Sequence, residues 1–185
     1  MKKVLGFALT GSFCTLGKAF QIMEELSQDW QIIPILSESV ARTDTRFYSC
    51  EAVCERIRSI CKMEPLKTIP DTEPLGPGKV LDLLLICPCT GNTLSKLAHG
   101  ITDTSVTMAA KSHRRQGGKI LIALSTNDAL SGSAVGLGTL LDKKNYYFVP
   151  LHQDDAESKP SSLQCDFSLV GKAAEAALEA RNAKP

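Results

Sequence analysis

Residues able to hold a ligand fall in four short stretches: Thr10-Gly11-Ser12, Ser37-Glu38-Ser39, residues 88–93 (Pro-Cys-Thr-Gly-Asn-Thr) and residues 125–128 (Ser-Thr-Asn-Asp). Gly11 lets the backbone approach a ligand closely, and Ser12 with the helix N-terminus beyond it offers donors to a phosphate. The segment GSFCTLG lacks the spacing of a dinucleotide fingerprint, and no Gly-Lys-Ser/Thr follows as in a P-loop. A single phosphate held by hydroxyls points instead to a mononucleotide such as FMN. On this reading Gly11, Ser12, Ser37, Ser39, Pro88, Thr90, Gly91, Thr93, Ser125 and Asn127 are the cofactor-binding candidates. Asn92, which can both donate and accept, is the residue expected to touch ligand and the first catalytic candidate. His152, close to Asp154 and Asp155, is the second, since neighbouring carboxylates favour its charged form. Arg42 and Arg46 follow the second stretch and Lys159 lies in a polar segment. Arg42 and Lys159 are taken as substrate-binding, to hold a carboxylate through charged hydrogen bonds. Of the other two histidines, His99 follows a helix and His113 sits among Lys111, Arg114 and Arg115 on what reads as a solvated helix end.

These stretches need a scaffold that brings them to one edge. Residues 83–87 (LLLIC) form an unbroken apolar run closed by Pro88, the pattern of a strand buried on both faces, and a helix follows from 93 to 98. Similar strands are expected at 4–10, 31–36, 66–69, 119–124 and 146–150. Helices are expected at 15–26, 48–63, 105–111, 134–142 and 167–181, with loops at 37–39 and 71–79 and a lid loop at 152–164. Strand alternating with helix predicts a three-layer, Rossmann-like or flavodoxin-like doubly wound fold. Its six-stranded parallel sheet should run 3-2-1-4-5-6, with the crevice between strands 1 and 4. Right-handed crossovers then carry the strand ends, and the four stretches, to one edge.

Composition bounds the rest. The 185 residues are expected to form one domain. Lys and Arg number 21 against 20 Asp and Glu, a net charge of +1 that excludes a broad nucleic-acid footprint. No apolar run approaches the ~18 residues of a membrane span, and the opening MKKVLGFALTG reads as a first strand rather than a secretion signal. Seven cysteines, an odd number, suit a reducing cytoplasm better than a disulfide framework. Cys87-Pro-Cys89 has no second pair like it, so no metal site is expected. Cys50, Cys54, Ile57 and Cys61 share a helical stripe, buried or facing a subunit; with the apolar helix around 106–110 it is read as needing partners, another subunit among them.

Three stretches in order, GFALTGSFCTLGKA, CPCTGNTLSKLAHGITD and ALSTNDA, resemble the signature regions of the homo-oligomeric flavin-containing cysteine decarboxylase superfamily. Pro88, Asn92 and Thr93 match its Pro-Ala-Ser-Ala-Asn-Thr motif, with Cys89, Thr90 and Gly91 in place of the small residues. Ala98, Gly100, Ile101 and Asp103 match the turn after the helix, and Asn127 matches a later loop whose Pro and Met are missing here. The resemblance implies bound FMN and a homo-oligomer, a trimer or trimer-based assembly with flavin between protomers. The decarboxylases use a His between the third and fourth strands, whereas residues 66–86 contain none, which puts decarboxylation of a cysteine-derived substrate in doubt. CPCTGNTLSKLAHGITDT and VPLHQDDAESKPSSL are most similar to a branch found in spore-forming bacteria, in which a B subunit acts with a nucleotide-binding A subunit. That branch implies oxidation of a dihydrodipicolinate-type precursor in the mother cell during sporulation, with NAD(P) supplied through the partner as a further electron acceptor. Beside it stand the decarboxylase reading and that of a scaffold subunit without cofactor.

Overall fold

The computed structural model describes residues 2–180. The strands are β1 (Lys3–Leu9), β2 (Trp30–Leu36), β3 (Leu83–Cys89), β4 (Lys119–Thr126), β5 (Tyr146–Phe148), β6 (Leu151–His152) and β7 (Leu163–Cys165). The helices are α1 (Leu16–Ser27), α2 (Glu38–Arg42), α3 (Cys50–Cys61), α4 (Ile69–Thr72), α5 (Gly91–His99), α6 (Ser105–Arg115), α7 (Ala134–Asp142) and α8 (Val170–Glu179). The sheet runs β2-β1-β3-β4-β7-β6, with β5 also on β4. From β2 to β5 every pairing is parallel.

Alternation explains why the sheet is buried on both faces. Leu83, Leu85 and Cys87 of β3 pack with α1, α3 and α8, while Leu84 and Ile86 face α5, α6 and α7. β1 does the same, with Leu5, Phe7 and Leu9 on one side and Ala8 on the other. Each such leucine contributes about 1.5–3 kcal/mol by leaving water. The alternation slips at Pro88, where the register between β3 and β4 shifts between Ile86 and Cys89. Pro34 sits within β2 without breaking it. Its carbonyl accepts from the Leu66 N–H at 2.9 Å on the outer side, where a missing N–H costs no bond to β1.

The parallel order expected from sequence holds, with four corrections. The sheet has seven strands rather than six, because β6 and β7 add an antiparallel pair beyond β4. The expected strand at 66–69 is a single parallel bridge, Ile35 to Leu66, because Thr68 caps α4 and turns the chain away. The 37–39 and 71–79 stretches contain helical turns, α2 and a short 3-10 segment after α4. The cysteine stripe needs no other subunit: Cys54 and Ile57 are buried in the cluster that holds α1, and the Cys61 thiol lies 3.6 Å from Met23 Sδ. Val106, Ala109 and Ala110 of α6 are likewise buried within the chain.

His113 is a further correction. It is 4% exposed, and its Nε2 donates to the Lys119 carbonyl at 3.0 Å. Burial pushes this imidazole below its ordinary value, the Lys119 bond opposing in part. The unfolded chain therefore takes up a proton that the folded chain resists, and stability falls as pH drops through about 6.5. His113→Gln is expected to flatten the fall in melting temperature between about pH 7 and 5, as read by thermal melts; an unchanged slope would assign it to other groups.

Candidate functional site

The ends of β1, β3 and β4 lie side by side, and hydroxyls tie their loops together. Thr10 Oγ1 donates to the Pro88 carbonyl at 2.8 Å and accepts from the Thr90 N–H at 2.9 Å, joining the loops after β1 and β3. The Ser12 and Ser125 hydroxyls, 3.0 Å apart, join the loops after β1 and β4, and Thr15 Oγ1 donates to the Ser12 carbonyl at 2.9 Å. Thr90 caps α5 by accepting from the Thr93 N–H at 3.2 Å. The N–H groups of Gly91 and Asn92, in the first turn, have no partner within the helix.

Behind Gly91 lies a fixed carboxylate. Asp128 Oδ1 accepts from Thr126 Oγ1 at 2.6 Å and from Ser133 Oγ at 2.9 Å, and among the described residues no hydrogen bond reaches Oδ2. A methyl at Gly91 would lie 2.5 Å from Ser133 Oγ, 2.6 Å from Asp128 Oδ1 and 2.8 Å from Thr126 Oγ1, so only glycine lets α5 start here. The segment between β6 and β7 closes one side. Ser162 Oγ donates to Asp154 Oδ1 at 2.5 Å, a bond that lowers the Asp154 carboxyl below its usual range, with Lys159 adding to the effect from 3.2 Å.

Together these loops enclose an open cavity of about 680 Å³. Of the residues expected from sequence, Gly11, Ser12, Thr90, Gly91, Asn92, Ser125, Asn127 and Lys159 line it. Thr93 and Pro88 do not line it: Thr93 is buried, and Pro88 is also buried, its carbonyl accepting from Thr10 Oγ1. Ser37 occupies the N-cap position of α2, but its buried hydroxyl makes no capping bond and has no partner among the described residues. The Ser39 Cβ comes 3.5 Å from a methyl placed on Gly11. Neither serine lines the cavity. Arg42 lies outside it, paired with Glu38 at 2.9 Å one turn away on α2, and Arg46 takes the place at the wall. His152 lines a separate cavity of about 430 Å³ with Lys18 and Asp166. His99 Nδ1 donates to the Ser95 carbonyl at 2.8 Å.

Sequence reasoning passed over Phe47, and it placed Thr10, Thr126 and Asp128 in ligand-holding stretches without singling them out as candidates. Asp128 closes the same Ser-Thr-Asn-Asp stretch that supplies Ser125 and Asn127, and a Thr two residues before an Asp is a signal for such a tie. The buried thiols behind the strand ends do not line the cavity. Burial raises Cys87 and Cys89 well above the ordinary range and pushes Cys165 up to about 12, so they stay protonated at neutral pH.

The cavity's donor set is hydroxyls, amides and free backbone N–H groups, with the Arg46 and Lys159 cations at its wall. These suit a phosphate ester and the polar rim of a planar ring, and the volume is that of a cofactor site. A flavin mononucleotide fits this chemistry. Among the described residues no cluster of His, Cys, Asp or Glu is arranged to hold a metal, and no helix is long and apolar enough to cross a membrane.

The Flavoprotein family model matches residues 1–155. The dipicolinate synthase B subunit of Bacillus subtilis (strain 168) is 38% identical over 184 residues, 99% of this chain and 92% of that protein. The crystal structure of the dipicolinate synthase B subunit from Bacillus halodurans C superimposes with a TM-score of 0.88 at 36% identity, over 100% of this chain and 97% of that one. A dodecameric FMN-dependent UbiX-like decarboxylase from Escherichia coli O157:H7 shares the fold alone, with a TM-score of 0.64 at 16% identity over 80% of this chain and 79% of that one.

Proposed function

Because this chain belongs to the flavoprotein family, we propose that it holds FMN in the cavity and serves as the B subunit of a dipicolinate synthase. In this role it acts with an A subunit to oxidise a dihydrodipicolinate-type precursor to pyridine-2,6-dicarboxylate during sporulation. The observation that carries the reading is the end-to-end likeness to dipicolinate synthase B subunits.

Each residue's task follows from its place. Gly11, Ser12 and the turn into α1 would hold the phosphate, with Ser125 bridging from the opposite loop. Asn92 and Asn127 would meet the ring or the substrate with one donor and one acceptor each. When bound, the flavin supplies a two-electron acceptor for a dehydrogenation that ends in an aromatic ring; nicotinamide brought by the A subunit is the other acceptor in keeping with this scheme. Asp128, which lines the cavity, is fixed through Oδ1 while Oδ2 has no hydrogen bond among the described residues, so it is the ionisable side chain best placed to take a proton; His152 faces the neighbouring cavity. The homo-oligomer, a trimer or trimer-based assembly, draws support from exposed apolar residues of another kind than the cysteine stripe. Val135 and Leu141 on α7 are 75% and 60% exposed, with Leu130 and Ile101 also open. The mother cell is where a protein with this task would work.

Reconstitution tests the reading. The chain and a cognate A subunit, mixed with freshly generated precursor, should yield dipicolinate, followed by its ultraviolet absorbance, where either protein alone yields little. Equal yield from the A subunit alone would leave this chain no part in the chemistry. Within the site, Ser12→Ala should weaken FMN binding by about tenfold or more, since a hydrogen bond to a charged group is typically worth ~1.5–3 kcal/mol. Asn92→Ala should cost turnover more than flavin content, as measured by flavin absorbance per chain beside the rate.

A further inference from the structure

We propose that Arg46 and Phe47 form the specificity element of this cavity, together reading a carboxylate carried on a flat six-membered ring, near-planar in the precursor and aromatic in the product. The inference rests on the dipicolinate reading and names two residues that reading did not use.

The segment between α2 and α3 looks like a plain polar connector in sequence, yet it is closed by its own hydrogen bonds. Thr45 N–H donates to the Tyr48 carbonyl at 2.9 Å, and Thr45 Oγ1 accepts from the N–H groups of Phe47 and Tyr48, each at 3.2 Å. At its far side Asp44 Oδ1 accepts from the Cys50 N–H at 2.8 Å, tying the turn to the start of α3. Tyr48 anchors it inward, edge-on to Phe20 with ring centroids 5.6 Å apart. Arg46 and Phe47 are the two residues this tied turn holds out, and both line the cavity. A turn so fixed presents side chains at little entropic cost to the ligand that meets them.

Charge singles out Arg46. Lys159 is held by Asp154 at 3.2 Å and Arg42 by Glu38 at 2.9 Å. Among the described residues Arg46 has no carboxylate within the 4.0 Å of an ion pair. Its guanidinium rests 4.9 Å from the centre of the Phe47 ring, a stacked arrangement that steadies the group while leaving its N–H edge free. Phe47 itself is 43% exposed, an aromatic face at the wall of a polar cavity. An unpaired planar cation beside an open aromatic face suits an anion with a flat apolar body: the guanidinium takes the carboxylate by two parallel bonds and the ring packs offset against the ligand.

Calorimetric titration of pyridine-2,6-dicarboxylate into the protein saturated with FMN tests this, with FMN affinity followed separately by fluorescence quenching. Arg46→Gln should weaken dicarboxylate binding by about tenfold or more. Arg46→Lys should recover only part of it, because lysine keeps the charge and loses the fork. Phe47→Leu should weaken it severalfold, and the uncharged pyridine-2,6-dicarboxamide should bind wild type no better than Arg46→Gln binds the acid. FMN affinity should stay within about twofold of wild type in all three variants. Arg46→Gln binding the dicarboxylate as wild type does would overturn the proposal and leave the dipicolinate reading standing. An equal loss of FMN would overturn it too, giving Arg46 to the cofactor. A flavin-loaded wild type that ignores the dicarboxylate at millimolar concentration would overturn both.

Discussion

Gly91→Ala is expected to cost at least tenfold in FMN affinity and about 1–3 kcal/mol of stability, although alanine is the better helix former by ~1 kcal/mol. Sterics decide the sign. The added methyl would meet Ser133 Oγ, Asp128 Oδ1 and Thr126 Oγ1 at 2.5–2.8 Å, well inside van der Waals contact. These atoms are bonded to one another, so none can retreat without breaking the Thr126–Asp128 or Ser133–Asp128 bond. Relief comes by moving the α5 N-terminus away from the loop after β4, which pulls apart two walls of the cavity. Gly138→Ala on α7 is the matched control, since a methyl there meets nothing within 4 Å. It should leave FMN binding unchanged and shift stability by no more than the ~1 kcal/mol of helix propensity. FMN titration and urea unfolding of both variants check this. Gly91→Ala behaving like Gly138→Ala would show that the cluster yields and is not what shapes the site.

Phe7→Ala should be the most destabilising of these changes, by about 3–5 kcal/mol in urea unfolding. Phe7 is fully buried in β1, with Pro34 of β2 and Leu85 of β3 as its lateral partners in the ladder. It packs among Leu5, Leu9 and Met23 on the face that holds α1. Side chains on strands cannot collapse inward as freely as those on a loop, so much of the cavity left by the ring persists. A typical domain has ~5–15 kcal/mol in all, so the variant should stand near its unfolding threshold. Phe47→Ala, removing an equal ring from the exposed turn, should lie within about 1 kcal/mol of wild type. A loss below about 1 kcal/mol at Phe7 would mean that the sheet face repacks.

The contrast between these two phenylalanines shows where sequence reading stops. The doubly buried strands were legible because unbroken apolar runs closed by Gly, Pro or Asn have few other uses, and the loops at their ends followed from the handedness of the crossovers. β6 and β7 were not legible. They are two and three residues long, lie in polar sequence, and owe their pairing to meeting each other and the end of β4. His113 misled because its neighbours are basic, while its own ring turns inward against Gly118, where a methyl would come within 2.4 Å. Arg42 and Arg46 differ for a local reason. A short helix after β2 places Arg42 one turn from Glu38, and the pair satisfies it; the turn at Thr45 sends Arg46 and Phe47 to the cavity. Side-chain destinations of this kind depend on partners distant in sequence, which periodicity does not carry.

Titrating FMN into the purified chain, with binding followed by flavin fluorescence and visible absorbance, tests the central claim most directly. Saturation at one flavin per chain is expected, with a dissociation constant in the micromolar range or tighter, and a shifted visible spectrum as the ring leaves water for the cavity between Ser12, Asn92 and Ser125. A chain that leaves FMN free at millimolar concentration, its fluorescence and spectrum those of the flavin in buffer, would contradict it.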